Sequence, residues 1–128
     1  MAKRMKEKTA KRLEHKDTRP TATARYVRMG APKAKRVLDI IKGKKYNEAC
    51  GILDNTTSTA SLVIKKVLNS AGANAENNMG LNRADLRIAE ITIDQGPTLK
   101  RAYAAGKGSS MSILKRTSHI NVVLDSAK

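Results

Sequence analysis

Residues 96–119 read GPTLKRAYAAGKGSSMSILKRTSH, and this stretch limits the possible fold more than any other. Lysine–arginine doublets stand near its two ends, Lys100 with Arg101 and Lys115 with Arg116. Between them lies a small-residue run, Ala104, Ala105, Gly106, Lys107, Gly108, Ser109 and Ser110, with a single charge. Such a run cannot build a core, because burial stabilises in proportion to the apolar area removed from water. Apolar segments of strand character flank it. Before it, Leu86 and Ile88 share one face while Ala89, Ile91 and Ile93 share the other, a change of phase that predicts a bulge. After it, Ile120, Val122 and Leu124 alternate with His119, Asn121 and Val123. Residues 96–116 are therefore expected to form an extended hairpin, with arms of about ten residues reaching roughly 30 Å beyond the sheet at ~3.3 Å per residue. A bare two-stranded ribbon is marginal in water, so it must be held by whatever it enters.

The charge balance says what that is. The chain of 128 residues carries 26 Lys and Arg against 11 Asp and Glu, a formal charge of +15. Residues 1–19 hold eight basic and three acidic residues, and the remainder eighteen and eight, so the body is basic as well as the N-terminal segment. Self-repulsion of this size weakens a compact state unless a polyanion relieves it. Membrane is the poorest partner: no run approaches the ~18 apolar residues of a spanning helix. The N-terminal segment has charge but no apolar stretch of signal-peptide type. One cysteine, Cys50, excludes an internal disulfide and suits a reducing, cytoplasmic setting. Aromatics are scarce: three Tyr, no Phe and no Trp. Of Tyr26, Tyr46 and Tyr103, the first two read as structural, so backbone charge and shape are expected to dominate over base stacking.

Residues 1–20 read as a basic flexible N-terminal arm, disordered or a frayed helix without a partner, because apolar residues are sparse. Residues 21–128 read as one domain. Thr21–Val27 has strand character. Pro32 suits a first helical turn, and Ala34, Val37, Leu38 and Ile41 form one stripe that ends at Gly43. A short second helix is expected from Asn47, as its cap, to Leu53, burying Ala49, Ile52 and Leu53. A third begins near Thr57 or Ser58, carries the stripe Ala60, Val63, Ile64, Val67, Leu68, Ala71 and Ala75, and stops at Gly80. Asn55-Thr56-Thr57 has the glycosylation spacing and is read as part of that helix start. The expected fold is α+β, with three helices on a small three-stranded antiparallel sheet and a long extended β-hairpin.

Catalytic and metal motifs are weak. Gly106-Lys107-Gly108-Ser109 imitates a phosphate loop, but Arg101 stands where the first glycine is needed and Gly108 where Ser or Thr should follow Lys107. His15 and His119 have no orienting carboxylate nearby in sequence, and with Cys50 they match no metal-ligand spacing. No catalytic residue, metal or cofactor is expected.

Four separated motifs carry a family resemblance. Gly96-Pro97-Thr98-Leu99-Lys100-Arg101 followed by Ile113-Leu114-Lys115-Arg116-Thr117-Ser118-His119-Ile120-Asn121-Val122-Val123 closely resembles the large-subunit ribosomal protein twenty-two family of bacterial type. So do Leu68-Asn69-Ser70-Ala71 with Asn74-Ala75-Glu76-Asn77-Asn78, and Ala24-Arg25-Tyr26-Val27-Arg28 leading into Pro32-Lys33-Ala34. The resemblance runs from about residue 22 to 124. It implies an assembly and architecture component, not an enzyme, seated on large-subunit rRNA, with the hairpin lining the nascent-chain exit tunnel near large-subunit protein four. It implies rRNA contacts from Lys100, Arg101, Lys107, Lys115, Arg116 and His119 on the hairpin and its root. On the body it implies contacts from Arg25, Arg28, Lys33, Lys35, Arg36, Asn74, Asn77 and Asn78. The tunnel-facing tip would be Ala104–Ser110, where this chain departs from the family pattern: the usual proline and several arginines are missing and Lys107 is the one charge. The tip should therefore move more and grip RNA less. The alternative reading is a DNA-architectural protein with a basic β-arm, although such arms insert an apolar wedge that this tip lacks.

Overall fold

A computed structural model describes residues 2–14 and 17–126. The expected hydrogen-bonding rather than catalytic role of His15 lies outside the described residues. In chain order the elements are α1 (Ala2–Glu14), β1 (Thr21–Val27), α2 (Ala31–Ile41), α3 (Tyr46–Asn55), α4 (Thr59–Met79), β2 (Leu86–Gln95), β3 (Leu99–Ala104), β4 (Ser110–Lys115) and β5 (Ser118–Ser126). The class is α+β as expected, with one helix more than the three read from the sequence. That helix is α1, whose side chains from Lys3 to Glu14 are all exposed.

Local chemistry sets the helix ends. Pro32 occupies the first turn of α2, where a missing N–H costs nothing, and Gly43 follows the helix at φ +75°. Ala31, Ala34, Val37, Leu38 and Ile41 are its buried stripe. Helix α3 starts one residue before the expected Asn47 cap, with Lys45 in the cap position and no side-chain cap bond. The start is set instead by tertiary pairing: Lys45 bridges to Arg87, and the Ile88 N–H donates to the Lys44 carbonyl at 2.9 Å. Asn55 closes α3, and Ser58 caps α4 by accepting from the Ala60 N–H at 3.2 Å. Gly80, at φ +64°, ends α4, and the Leu81 N–H reaches back to the Ala75 carbonyl at 3.1 Å.

The sheet has the order β1-β5-β2, all antiparallel. Helix α4 packs on β1 and β5, α2 on β2 and α4, and α3 on α4. Ile64 and Leu68 of α4 share one core with Ile120, Val122 and Leu124 of β5. The register of β2 against β5 slips between Ile88 and Glu90, a bulge at Ala89. This is the bulge expected from the change of phase: one extra residue returns Ile91 to the face that Leu86 and Ile88 already occupy, and all three are buried. The other face of the sheet carries Thr23, Asn121, Thr92, Asp94 and His119, and also Val123, which is buried.

Strands β3 and β4 form their own two-stranded sheet of six paired positions, Leu99 with Lys115 through Ala104 with Ser110. The ladder thus spans about 20 Å at ~3.3 Å per residue, shorter than the ten-residue arms expected, because pairing starts three residues after Gly96. Its root is clasped. The Gly96 N–H donates to the Thr117 carbonyl at 2.9 Å, and buried Thr117 donates its hydroxyl to the Pro97 carbonyl at 2.6 Å.

Two glycines are required by packing. A Cβ on Gly72 would stand 2.9 Å from the ring of buried Tyr46, whose hydroxyl donates to Asn69 at 3.0 Å. Gly72→Ala should lower the urea midpoint: overpacking costs about 1–3 kcal/mol and outweighs the ~1 kcal/mol that alanine adds to helix propensity. A Cβ on Gly96 would stand 2.5 Å from Thr117 Oγ1 and 3.3 Å from His119. Gly96→Ala should therefore break the clasp and cost about 1–3 kcal/mol, with amide exchange rising first at residues 96–99 and 115–118.

Candidate nucleic-acid interface

The register of the ribbon sorts its side chains into two unlike faces. Directly paired residues lie on one side, so Leu99, Arg101 and Tyr103 share a face with Lys115, Ile113 and Met111. Lys100, Ala102 and Ala104 share the other with Leu114, Ser112 and Ser110. The first face is bulky and mixed apolar–cationic; the second is mostly small and hydroxylated. Because successive strand residues point to opposite sides, Lys100 and Arg101 put a cation on each face. Tyr103, Met111, Ile113 and Leu114 are all exposed. The alternating bulky face was legible as an i, i+2 pattern on each arm, yet the sequence reading saw only the doublets.

The tip is a tight turn. The Ala105 N–H donates to the Ser109 carbonyl at 2.9 Å, and Ser109 Oγ donates to the Gly106 carbonyl at 2.9 Å. Lys107 adopts φ +57°, a left-handed conformation unusual for a side chain with a Cβ, beside Gly108 at φ +75°. All seven expected tip residues, Ala104 to Ser110, lie in or next to this turn, and only Ala105 is partly shielded.

At the hairpin root, Lys115 and Arg116 meet Arg28 and Lys33 around an open cleft of about 610 Å³. Its floor includes Ser58, Thr59 and Ala60, the N-terminal turn of α4. Four cations and the positive end of a 21-residue helix thus converge on one concavity. Gly30, which caps α2, lies beside Arg116, with its hypothetical Cβ at 4.0 Å from the arginine Cβ. The arrangement suits a phosphate, because cations, backbone N–H groups and hydroxyls are the usual phosphate-positioning groups. Arg25, Lys35 and Arg36 are exposed on the body but do not line the cleft.

The asparagine cluster lies elsewhere. Asn77 and Asn78 are exposed at the far end of α4, about 30 Å from Ser58 at ~1.5 Å per residue. Asn74 has a structural contact: its side-chain amide donates to the Thr21 carbonyl at 2.8 Å and ties α4 to β1. His119 is half-buried, and its Nδ1 accepts the Tyr26 N–H at 3.0 Å, so Nε2 carries the ring proton.

The carboxylates that form ion pairs do so with other cations. Among the described residues, ion pairs join Asp17 to Arg19, Glu48 to Lys44, Asp54 to Lys65, Glu76 to Arg83 and Asp125 to Arg87. Hydrogen bonds from Arg19 hold the Asp17 carboxyl down to about 2. None of Arg25, Arg28, Lys33, Lys35, Arg36, Lys100, Arg101, Lys107, Lys115 or Arg116 pairs with a carboxylate, and all are exposed. Burial pushes the Cys50 thiol up, which makes it a poor thiolate nucleophile at neutral pH. Among the described residues no cluster of three or more His, Cys, Asp or Glu is placed to hold a metal, and no helix is long and apolar enough to cross a membrane.

Known proteins match this chain over most of its length. Three curated relatives are each called large ribosomal subunit protein uL22. That of Halothermothrix orenii is 49% identical, covering 84% of this chain and 95% of its own. Those of Pediococcus pentosaceus and Ligilactobacillus salivarius are 51% and 50% identical, each covering 84% of this chain and 91% and 93% of their own. The model of the family described as ribosomal protein L22p/L17e matches residues 22–125, a span that takes in the sheet, the covering helices and the whole clasped ribbon, and the chain belongs to that family.

Proposed function

We propose that this protein is a structural component of the large ribosomal subunit that binds its rRNA through the hairpin and its root. Residues 21–128 act as a single rRNA-binding domain and residues 1–20 as a basic arm. The family is a ribosomal one and not an enzyme family, and the setting is the ribosome of the cytoplasm. The observation that carries the reading is the ribbon: six paired positions with no core of their own, cations on both faces and no carboxylate beside them. A ribbon exposed on both sides is stable only when surrounded, and cations on both sides need an anionic surround.

In this reading Lys100, Arg101, Lys115 and Arg116 neutralise backbone phosphates along the arms, and the root cleft with Arg28 and Lys33 seats a further one. Arg25, Lys35, Arg36, Asn77 and Asn78 hold RNA on the body, and Asn74 supports them by fixing α4 to β1. The tip, Ala104–Ser110 with Lys107, reaches the wall of the nascent-chain exit tunnel near protein four, where it meets the passing peptide. Its small side chains leave the tunnel open there. Membership of a ribosomal family sets aside the DNA-architectural alternative.

Binding to a large-subunit rRNA transcript should fall steeply with salt. With about eight phosphates neutralised, log K against log salt should have a slope of about −6 to −7, and a flat filter-binding titration would overturn the reading. Replacing Lys100, Arg101, Lys115 and Arg116 together with Ala should shrink that slope by about four and deplete the protein from large subunits after a high-salt wash. Undiminished co-sedimentation of this variant would remove the doublets from the anchoring role.

A further inference from the structure

The outer face of the sheet carries a second feature that the charge pattern does not explain. Between Ala24, paired with Ile120, and Val27, paired with Ser118, two residues of β1 stand opposite the single residue His119. The extra residue makes a bulge, and in it Tyr26 adopts φ +57°. A tyrosine there is strained, since the left-handed region is cheap only for Gly and, less so, Asn. Tyr26, read from the sequence as a structural residue, is 62% exposed, whereas Tyr46 is buried. The strained backbone therefore does not serve to bury the ring; it holds it outward.

The ring is also held in place. The Tyr26 N–H, which the bulge removes from the ladder, is taken by His119 Nδ1 at 3.0 Å. The imidazole meets the phenol ring edge-on, with centroids 4.9 Å apart and planes at 86°. His119 in turn abuts Gly96 at the hairpin root. Arg25 and Arg28, on either side in sequence, are exposed and have no carboxylate partner. Asp94 stands opposite His119 in register on β2, and it too is exposed. A carboxylate beside the platform repels phosphate but accepts from base amino and imino groups. Backbone charge therefore belongs to the arginines, and the surface by the ring suits a base.

We infer that Tyr26, braced by His119, is a stacking platform for one unpaired nucleobase of the RNA partner. This rests on the rRNA-binding reading above and adds a base contact to an interface otherwise made of phosphate contacts. An exposed aromatic face stacks any base, so the platform fixes a flipped or looped nucleotide without reading its identity.

The test uses the full chain and a large-subunit rRNA transcript, with wild type, Tyr26→Phe and Tyr26→Gly compared by filter binding across salt and by thermal melting. Phenylalanine should bind within about twofold of wild type. Glycine should bind about tenfold or more weakly, with the salt slope unchanged, because no charge is lost. Its melting temperature should hold or rise, because glycine relieves the strained φ. Ultraviolet crosslinking of the wild-type complex, read by mass spectrometry, should place a nucleotide adduct on Tyr26, and this arm decides the matter if the glycine variant does not fold. Wild-type affinity in the glycine variant, or nucleotide adducts that map to other residues with none on Tyr26, overturns the platform and leaves the RNA reading standing. Failure of the wild-type protein to bind the transcript overturns that reading and the platform together.

Discussion

The ribbon is aimed by two hydrogen bonds at its root. Gly96 donates to the Thr117 carbonyl, and the Thr117 hydroxyl donates to the Pro97 carbonyl. This clasp lies directly beyond the last pair of the β2–β5 ladder, Gln95 with Ser118. The ribbon thus leaves the body where β2 and β5 end, and those strands are fixed by the aliphatic core beneath them. Any error in strand register would pass straight into the direction of the projection. The Ala89 bulge guards against one such error: it keeps Leu86, Ile88 and Ile91 on the core face, which penalises a one-residue slip by exposing all three.

Electrostatics and packing divide the molecule cleanly. Among the described residues, five carboxylates are engaged with lysines and arginines on the arm, on the flanks of α3 and α4, and at the β2–β5 end away from the hairpin. These exposed pairs add little stability individually. Their effect is on the distribution of charge: they leave the cations of the ribbon, its root, the outer part of α2 and the exposed helix α1 unneutralised. Stability itself comes from the aliphatic core, and among the described residues no charged side chain is buried in it.

Much of this architecture could be read from residue order because it rests on periodicity. The stripes of α2 and α4 and the phase change in β2 are direct records of which side chains are buried; in β5 the alternation marks the faces, but Val123 on the outer face is buried as well. The misreadings have a common cause, which is tertiary contact overriding local preference. Asn47 is a good cap by type, but the Lys45–Arg87 bridge starts α3 earlier. Asn74, grouped in sequence with Asn77 and Asn78 as an expected RNA contact, also has a tertiary contact that its neighbours in sequence do not announce, to the β1 backbone. The exposure of Tyr26 was hidden because a positive φ at tyrosine runs against its intrinsic preference, and no residue-level signal marks it. The root cleft was hidden for another reason: Arg28, Lys33, Ser58 and Arg116 are scattered in sequence and meet only in the fold.

The unequal sides of the ribbon have a geometric consequence. A blade with Tyr103, Met111 and Ile113 on one flank and Ala102, Ala104, Ser110 and Ser112 on the other is thick on one side and thin on the other. Turned by half a revolution about its long axis, it would no longer fit a slot cut for it. In the rRNA-binding reading such a slot would work as a keyway that accepts one rotational setting, and seating the blade would also fix the orientation of the whole body about the insertion axis.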